Sequence, residues 1–208
     1  MTAKDKILSK LRENSNQLFN SDEVNEIFDF PDISLVVPIE FKDAVEKFKE
    51  TAQNVSGAKL IEGENLNDIN KIIKDTYPEA KIIGSNLPYI AAEINPDALT
   101  KVNDLMRIDV GVVEGQIGVA ENGCIWIPQT MKERGVLFAS EYLVIILHKT
   151  DIVNNMHEAY QIIENKPEYF DTYKFGTFIS GPSKTADIES ALVYGAQAAR
   201  GVTVILLP

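Results

Sequence analysis

Short extended runs alternate with amphipathic helical stretches through the first half of this chain, and few architectures accommodate that order. Pro31 and Pro38 bracket an extended segment at 33–37. Residues 41–55 then place Phe41, Ala44, Val45, Phe48 and Ala52 on one helical face. Gly57 marks the end of that helix, and residues 58–61 are predicted as a short strand. Asn65 or Asn67 is suited to cap a second helix, whose apolar residues Ile69, Ile72 and Ile73 end near Tyr77-Pro78. Residues 80–84 (AKIIG) are predicted as a buried strand that leads into Ser85-Asn86. Strands spaced by helices in this way predict an α/β fold, a mostly parallel sheet with helices on both faces.

The second half is less regular. Residues 106–110 and 112–119 are apolar and β-branched, interrupted by Gly111, Gly115 and Gly118. Strands are expected at 123–128 (GCIWIP) and 142–147 (YLVIIL, the most hydrophobic run), then a helix at 155–164. The end is predicted as a strand at 176–180, a polar loop at 181–187, a helix at 188–200 and a final strand at 202–207. Upstream of the body, residues 3–28 carry Ile7, Leu8, Leu11, Leu18, Val24, Ile27 and Phe28 at near-helical intervals. Such an arm is expected to pack by one stripe on the body or on a second subunit, the latter giving a homo-oligomer.

Composition removes several classes of partner. The 31 acidic and 20 basic residues leave a net charge of -11, which repels phosphate backbones and anionic lipid. Neither nucleic acid nor membrane is therefore an expected partner, although one basic pocket for a small anionic metabolite is compatible with that surface. The single cysteine, Cys124, forms no intramolecular disulfide and cannot by itself hold an iron–sulfur cluster. His148 and His157 lack the grouping of a metal site. The expectation is a cytoplasmic chain without metal or cofactor of its own.

Two segments carry candidate chemistry. Ser180-Gly181-Pro182-Ser183-Lys184-Thr185-Ala186-Asp187 leaves a strand and is predicted to enter a helix, where open α/β sheets put their ligands. Backbone N–H groups at that helix start, the Ser183 and Thr185 hydroxyls and the Lys184 ammonium could hold a carboxylate or phosphate. The segment is not a phosphate-cradling P-loop, since Ser183 stands where Gly is needed before Lys-Thr. Its structural reading is that Asp187 or Thr185 caps the helix while Gly181-Pro182 shapes the turn.

The second segment is Glu121-Asn122-Gly123, in which a carboxylate sits beside a tight turn. Glu121 could act as nucleophile or general base, and the plain alternative is an ordinary Asn-Gly turn with a solvated glutamate. Cys124 is read as a small buried hydrophobe and Asp109 as a polar anchor at a strand end. Trp126 and Tyr142 are read as core or pocket wall, and the two histidines as surface or cap residues.

The run Ile179-Ser180-Gly181-Pro182-Ser183-Lys184-Thr185-Ala186-Asp187-Ile188-Glu189 resembles the ISGPSRTADIE signature of the lactate-utilisation protein C (LUD-domain) family. Residues 109–123 (DVGVVEGQIGVAENG) resemble the family segment that leads into A-E-T-G-T. The likeness spans roughly residues 33–208, and implies an arm at 1–30 followed by one LUD-type domain at 31–208. Three departures stand out. A-E-T-G-T is Ala120-Glu121-Asn122-Gly123-Cys124 here, and P-x-x-H is Ala139-Ser140-Glu141-Tyr142. G-V-H-G-P is Gly195-Ala196-Gln197-Ala198-Ala199. Two family histidines are thus replaced, by Tyr142 and Gln197.

The resemblance implies a fold similar to the ribose-5-phosphate isomerase, glucosamine-phosphate deaminase and CoA-transferase group. It also implies an accessory, non-redox role in utilisation of L-lactate or a related organic acid, beside iron–sulfur partner proteins. An alternative follows from the likeness of Ala120-Glu121-Asn122-Gly123 to the S-E-N-G turn of family I CoA-transferases. On that reading the chain is an enzyme handling an acyl-CoA or sugar phosphate through Glu121.

Overall fold

The computed structural model describes residues 4, 6–10, 37–170, 175–188 and 191–208, with Phe170, Asp187 and Ile188 described in backbone only. The chain forms two compact units, Met1–Val37 and Pro38–Pro208. In the first, residues 4 and 6–10 are helical. The rest of the expected arm, and the extended segment expected at 33–37 apart from Val37, lie outside the described residues.

In the second unit the first helix, α1 (Ala44–Thr51), begins where the Asp43 carboxylate accepts the Glu46 N–H at 3.0 Å. It widens into a π turn at Ala52–Ser56 and stops at Gly57, whose φ of 78° supplies the left-handed conformation of a helix end. Strand β1 (Lys59–Glu62) follows. Asn65 caps a short 3-10 turn, accepting from Asn67 N–H at 2.9 Å, and α2 (Ile69–Thr76) continues from it.

Strands β2 (Ile83–Gly84), β3 (Val110–Glu114), β6 (Tyr142–His148) and β11 (Gly201–Leu207) complete a five-stranded sheet in the order β1-β11-β6-β3-β2, parallel throughout. Alternate residues of β6 supply two cores. Leu143, Ile145 and Leu147 meet Phe48 of α1 and Val136 and Leu137 of α3 (Val136–Ala139). Val144 and Ile146 meet Ile69 and Ile73 of α2 on the opposite face. The α/β expectation, a mostly parallel sheet with helices on both faces, holds because a strand buried on both sides has no polar face to give to water.

Past Glu114 the chain turns at Gly115, where a Cβ would lie 2.4 Å from an Ile125 methyl. It enters a second sheet of order β7-β4-β5-β8, from β4 (Ile117–Val119), β5 (Ile125–Pro128), β7 (Ile152–Val153) and β8 (Gly176–Ile179). Helix α4 (Met156–Glu164), capped by Asn155, covers this sheet through Ala159 and Ile163. Trp126 packs against Phe178 with ring centroids 4.9 Å apart.

Two expectations differ from the structure. The strand at 80–84 shortens to two residues because the Asp109 carboxylate takes the Lys81 and Ile82 N–H groups, each at 2.8 Å. Asp109 is thus the polar anchor expected. The helix at 188–200 is absent, and an antiparallel hairpin stands in its place, β9 (Lys184–Ile188) with β10 (Ala191–Tyr194). The β-branched Thr185, Ile188 and Val193, with Tyr194, favour extended backbone, and Gly195 at φ 80° ends the hairpin. The alanine-rich stretch beyond is too short to sustain a helix.

Ile145 is fully buried in the central strand. Ile145→Ala is expected to lower unfolding stability by about 3 kcal/mol, measured by urea titration with an unchanged m-value.

Candidate functional site

The end of α1 is where the two candidate segments meet. Ser56, buried at the last π turn, donates its hydroxyl proton to the Asn122 carbonyl at 3.0 Å, and its Oγ lies 2.7 Å from Ser180 Oγ. Ser180 Oγ also lies 3.4 Å from the Asn122 carbonyl, so the two hydroxyls share that acceptor and either can donate to the other. Ser180 is exposed, and can turn its proton to an incoming acceptor while Ser56 keeps the Asn122 carbonyl.

Glycines make the approach close enough. Gly123 (φ 67°) would place a Cβ 2.7 Å from Ala52 N, and Gly181 (φ 67°) would place one 2.0 Å from the Ser56 carbonyl oxygen. Both positions need the left-handed backbone and the missing side chain. Sequence reasoning treated Gly57 only as a helix stop and passed over Ser56, whose partners lie 66 and 124 residues away. The Ser56-Gly57 pair ending an amphipathic helix was the available signal.

Lys184 donates from Nζ to the carbonyls of Ser56 at 2.7 Å and Val55 at 3.2 Å. It therefore caps the negative end of α1 rather than standing at a helix start. An ammonium has three donors, so one remains. No carboxylate pairs with Lys184 among the described residues.

The hairpin that replaces the expected helix removes the helix N-terminus as an anion site. Ser183 N–H goes to the Ala199 carbonyl at 2.9 Å, and Thr185 lies within β9 opposite Val193. The side chain of Asp187 lies outside what is described.

Beside this junction is a hollow of about 470 Å3, lined in part by Ser180, Ser183, Lys184, Phe178 and Gln197. A second hollow of about 500 Å3 adjoins it and shares Phe138, Gln197 and Ala198. One bank is α3, and the other is the 195–200 segment between β10 and β11. Gln197 lines both hollows. Tyr142 packs on Tyr77 with centroids 4.7 Å apart.

Glu121 lines neither hollow. Its half-buried turn is fixed by its N–H to the Asn154 carbonyl at 3.0 Å and by the Asn122 side chain accepting from Cys124 N–H at 3.1 Å. His148 Nδ1 lies 3.2 Å from the Pro208 carbonyl, and His157 Nε2 lies 2.9 Å from the Gln161 amide. Among the described residues no group of His, Cys, Asp and Glu side chains could hold a metal ion, and no helix is long and apolar enough to cross a membrane.

Cys124 is buried with its Sγ 3.6 Å from Met156 Sδ. Burial pushes its thiol up to about 12, against a smaller opposing effect of Asn122. The thiolate is the nucleophile, so the native protein at pH 8 is expected to resist alkylation by iodoacetamide and to react once unfolded in urea. Rapid labelling of the folded protein, read by mass spectrometry, would contradict this.

The LUD domain family model matches residues 92–207, more than half of the chain. Lactate utilization protein C of Shouchella clausii is 30% identical over 109 residues, 52% of this chain and 48% of that protein. Its counterpart in Oceanobacillus iheyensis is 30% identical over 104 residues, 49% and 44%. A protein of Neisseria meningitidis serogroup B is 31% identical over 132 residues, 62% and 54%. The chain thus spans about half the length of these relatives. A crystal structure of a DUF162 family protein from Deinococcus radiodurans matches with a TM-score of 0.61 at 12% identity, over 82% of this chain and 100% of that one. At that identity the likeness speaks for the fold. By its family match over residues 92–207, in a chain with this parallel sheet, the protein belongs to the LUD domain family.

Proposed function

We propose that this chain is an accessory, non-redox component of L-lactate or related organic-acid utilisation, and that it holds a small organic anion where Ser180 and Lys184 face the hollow beside α1. The observation that carries this is the meeting of a rotatable hydroxyl with an ammonium that has a donor to spare and no carboxylate partner among the described residues. In a chain of net charge -11, such a cation is a local exception to the prevailing field. Asn122 and Gly123 serve by fixing Ser56, and Ser183 lines the pocket. The names of the Shouchella and Oceanobacillus relatives support lactate utilisation as the setting. Electron transfer is assigned to iron–sulfur partner proteins, because one cysteine cannot hold a cluster.

A charge-assisted hydrogen bond contributes about 1.5–3 kcal/mol. Lys184→Met is therefore expected to weaken L-lactate binding by about tenfold or more in calorimetry, beside a loss of about 1–3 kcal/mol of helix-end stabilisation that leaves the chain folded. Unchanged affinity in this variant would remove the anion site. Deleting the gene is expected to impair growth on L-lactate, restored by the wild-type chain and not by Lys184→Met. Normal growth of the deletion strain would remove the proposed setting.

The acyl-transfer reading has its own test. Because Glu121 lines neither hollow, incubation with an acyl-CoA followed by hydroxylamine is expected to leave Glu121 unmodified. A Glu121 hydroxamate found by mass spectrometry would replace the accessory role with covalent catalysis.

A further inference from the structure

The two adjoining hollows differ in character. The one beside α1 carries Ser180, Ser183 and Lys184. Its neighbour is floored by Leu105 and Ala139 and flanked by Val102, Met106 and Phe138, which are 65%, 74% and 41% exposed. Large apolar side chains this open to water are costly unless something covers them.

The second hollow does contain a cation, Arg200, but that charge is already committed. Its guanidinium pairs with Glu141 at 2.9 Å and lies over the Tyr142 ring at 5.5 Å. The uncompensated charge of the combined cleft is therefore Lys184, at one end. Phe138, Gln197 and Ala198 border both hollows, so the adjoining pair offers an ammonium and hydroxyls at one end and an apolar trough at the other. Gln197 places a neutral amide midway, able both to donate and to accept.

Volume argues in the same direction. Hollows of about 470 and 500 Å3 fall in the range of sites for ligands far larger than lactate, ~300–1,000 Å3 each. Lactate would contact only the polar end and leave the trough filled with water.

We infer that the cleft binds an organic anion with an apolar tail several carbons long, its carboxylate at Ser180 and Lys184 and its tail along Phe138, Met106 and Val102. This rests on the anion site proposed above and names its ligand class: a medium-chain carboxylate or 2-hydroxy acid.

The test is calorimetric titration of the full chain with L-lactate, 2-hydroxyoctanoate, octanoate and octanol, repeated with Met106→Glu and Phe138→Ala. Affinity is expected to rise by up to about fourfold per methylene along the acid series, and octanol is expected to bind far more weakly than octanoate. Met106→Glu, at an exposed position whose folding is checked by thermal unfolding, is expected to flatten the chain-length dependence while lactate affinity stays within twofold. Phe138→Ala is expected to weaken the chain-length dependence to a smaller extent, without adding charge.

Equal affinity for lactate and 2-hydroxyoctanoate would overturn the tail assignment and leave the anion site standing. A steep series untouched by both variants would place the tail elsewhere and overturn the cleft. Octanol binding as tightly as octanoate, or no binding by any of the four, would overturn the anion site and this inference together.

Discussion

Burial of β6 on both faces is the constraint on which the Pro38–Pro208 unit depends. Its backbone is paired on either side, with β11 and β3, and its side chains alternate into two separate cores. Its neighbours here are parallel and are reached by crossovers, which cover both faces. The positions of α1 and α3 on one side and α2 on the other follow from that requirement. So does the placement of the second sheet, whose Ile125 and Ile127 join the same core as Ile145.

The site is a by-product of how α1 ends. Helix α1 is held to the sheet by Phe48 and Ala52, which fixes where its last carbonyls emerge. Those carbonyls need partners, because a helix leaves its final C=O groups unsatisfied. Lys184 supplies two donors from a hairpin more than a hundred residues later, and Ser56 ties the turn at Asn122 to Ser180. Structural closure and chemical potential thus reside in the same atoms. Once two of three Nζ donors satisfy the helix end, the third is held in place at little further entropic cost.

The segments 139–141 and 195–198 form much of the cleft's banks. Gln197 gives it a wall that does not titrate near neutral pH. Tyr142 pairs with Tyr77 and lies beneath Arg200, contributing packing at the sheet end.

Much of this was legible in the residues themselves. The periodicity at 41–55 and 69–76, the apolar runs at 142–147 and 202–207 and the Asn65 cap are local properties, set by backbone and side-chain preferences within a few residues. Asp109 as an anchor and Cys124 as core were also readable there. The stretch 188–200 was not, because alanine content pointed to a helix while Thr185, Ile188 and Val193 pointed to a strand. Which preference prevailed depended on backbone pairing between Thr185 and Val193. Nor could sequence place Ser56 against Asn122 and Ser180, or set Lys184 at a helix end rather than a helix start. Those contacts join residues 66 to 129 positions apart. The sequence by itself determined the fold class, the family and the cap at Asn65. Only tertiary structure decided the hairpin, the Ser56 junction and the cleft, since each depends on distances between elements that no local preference encodes.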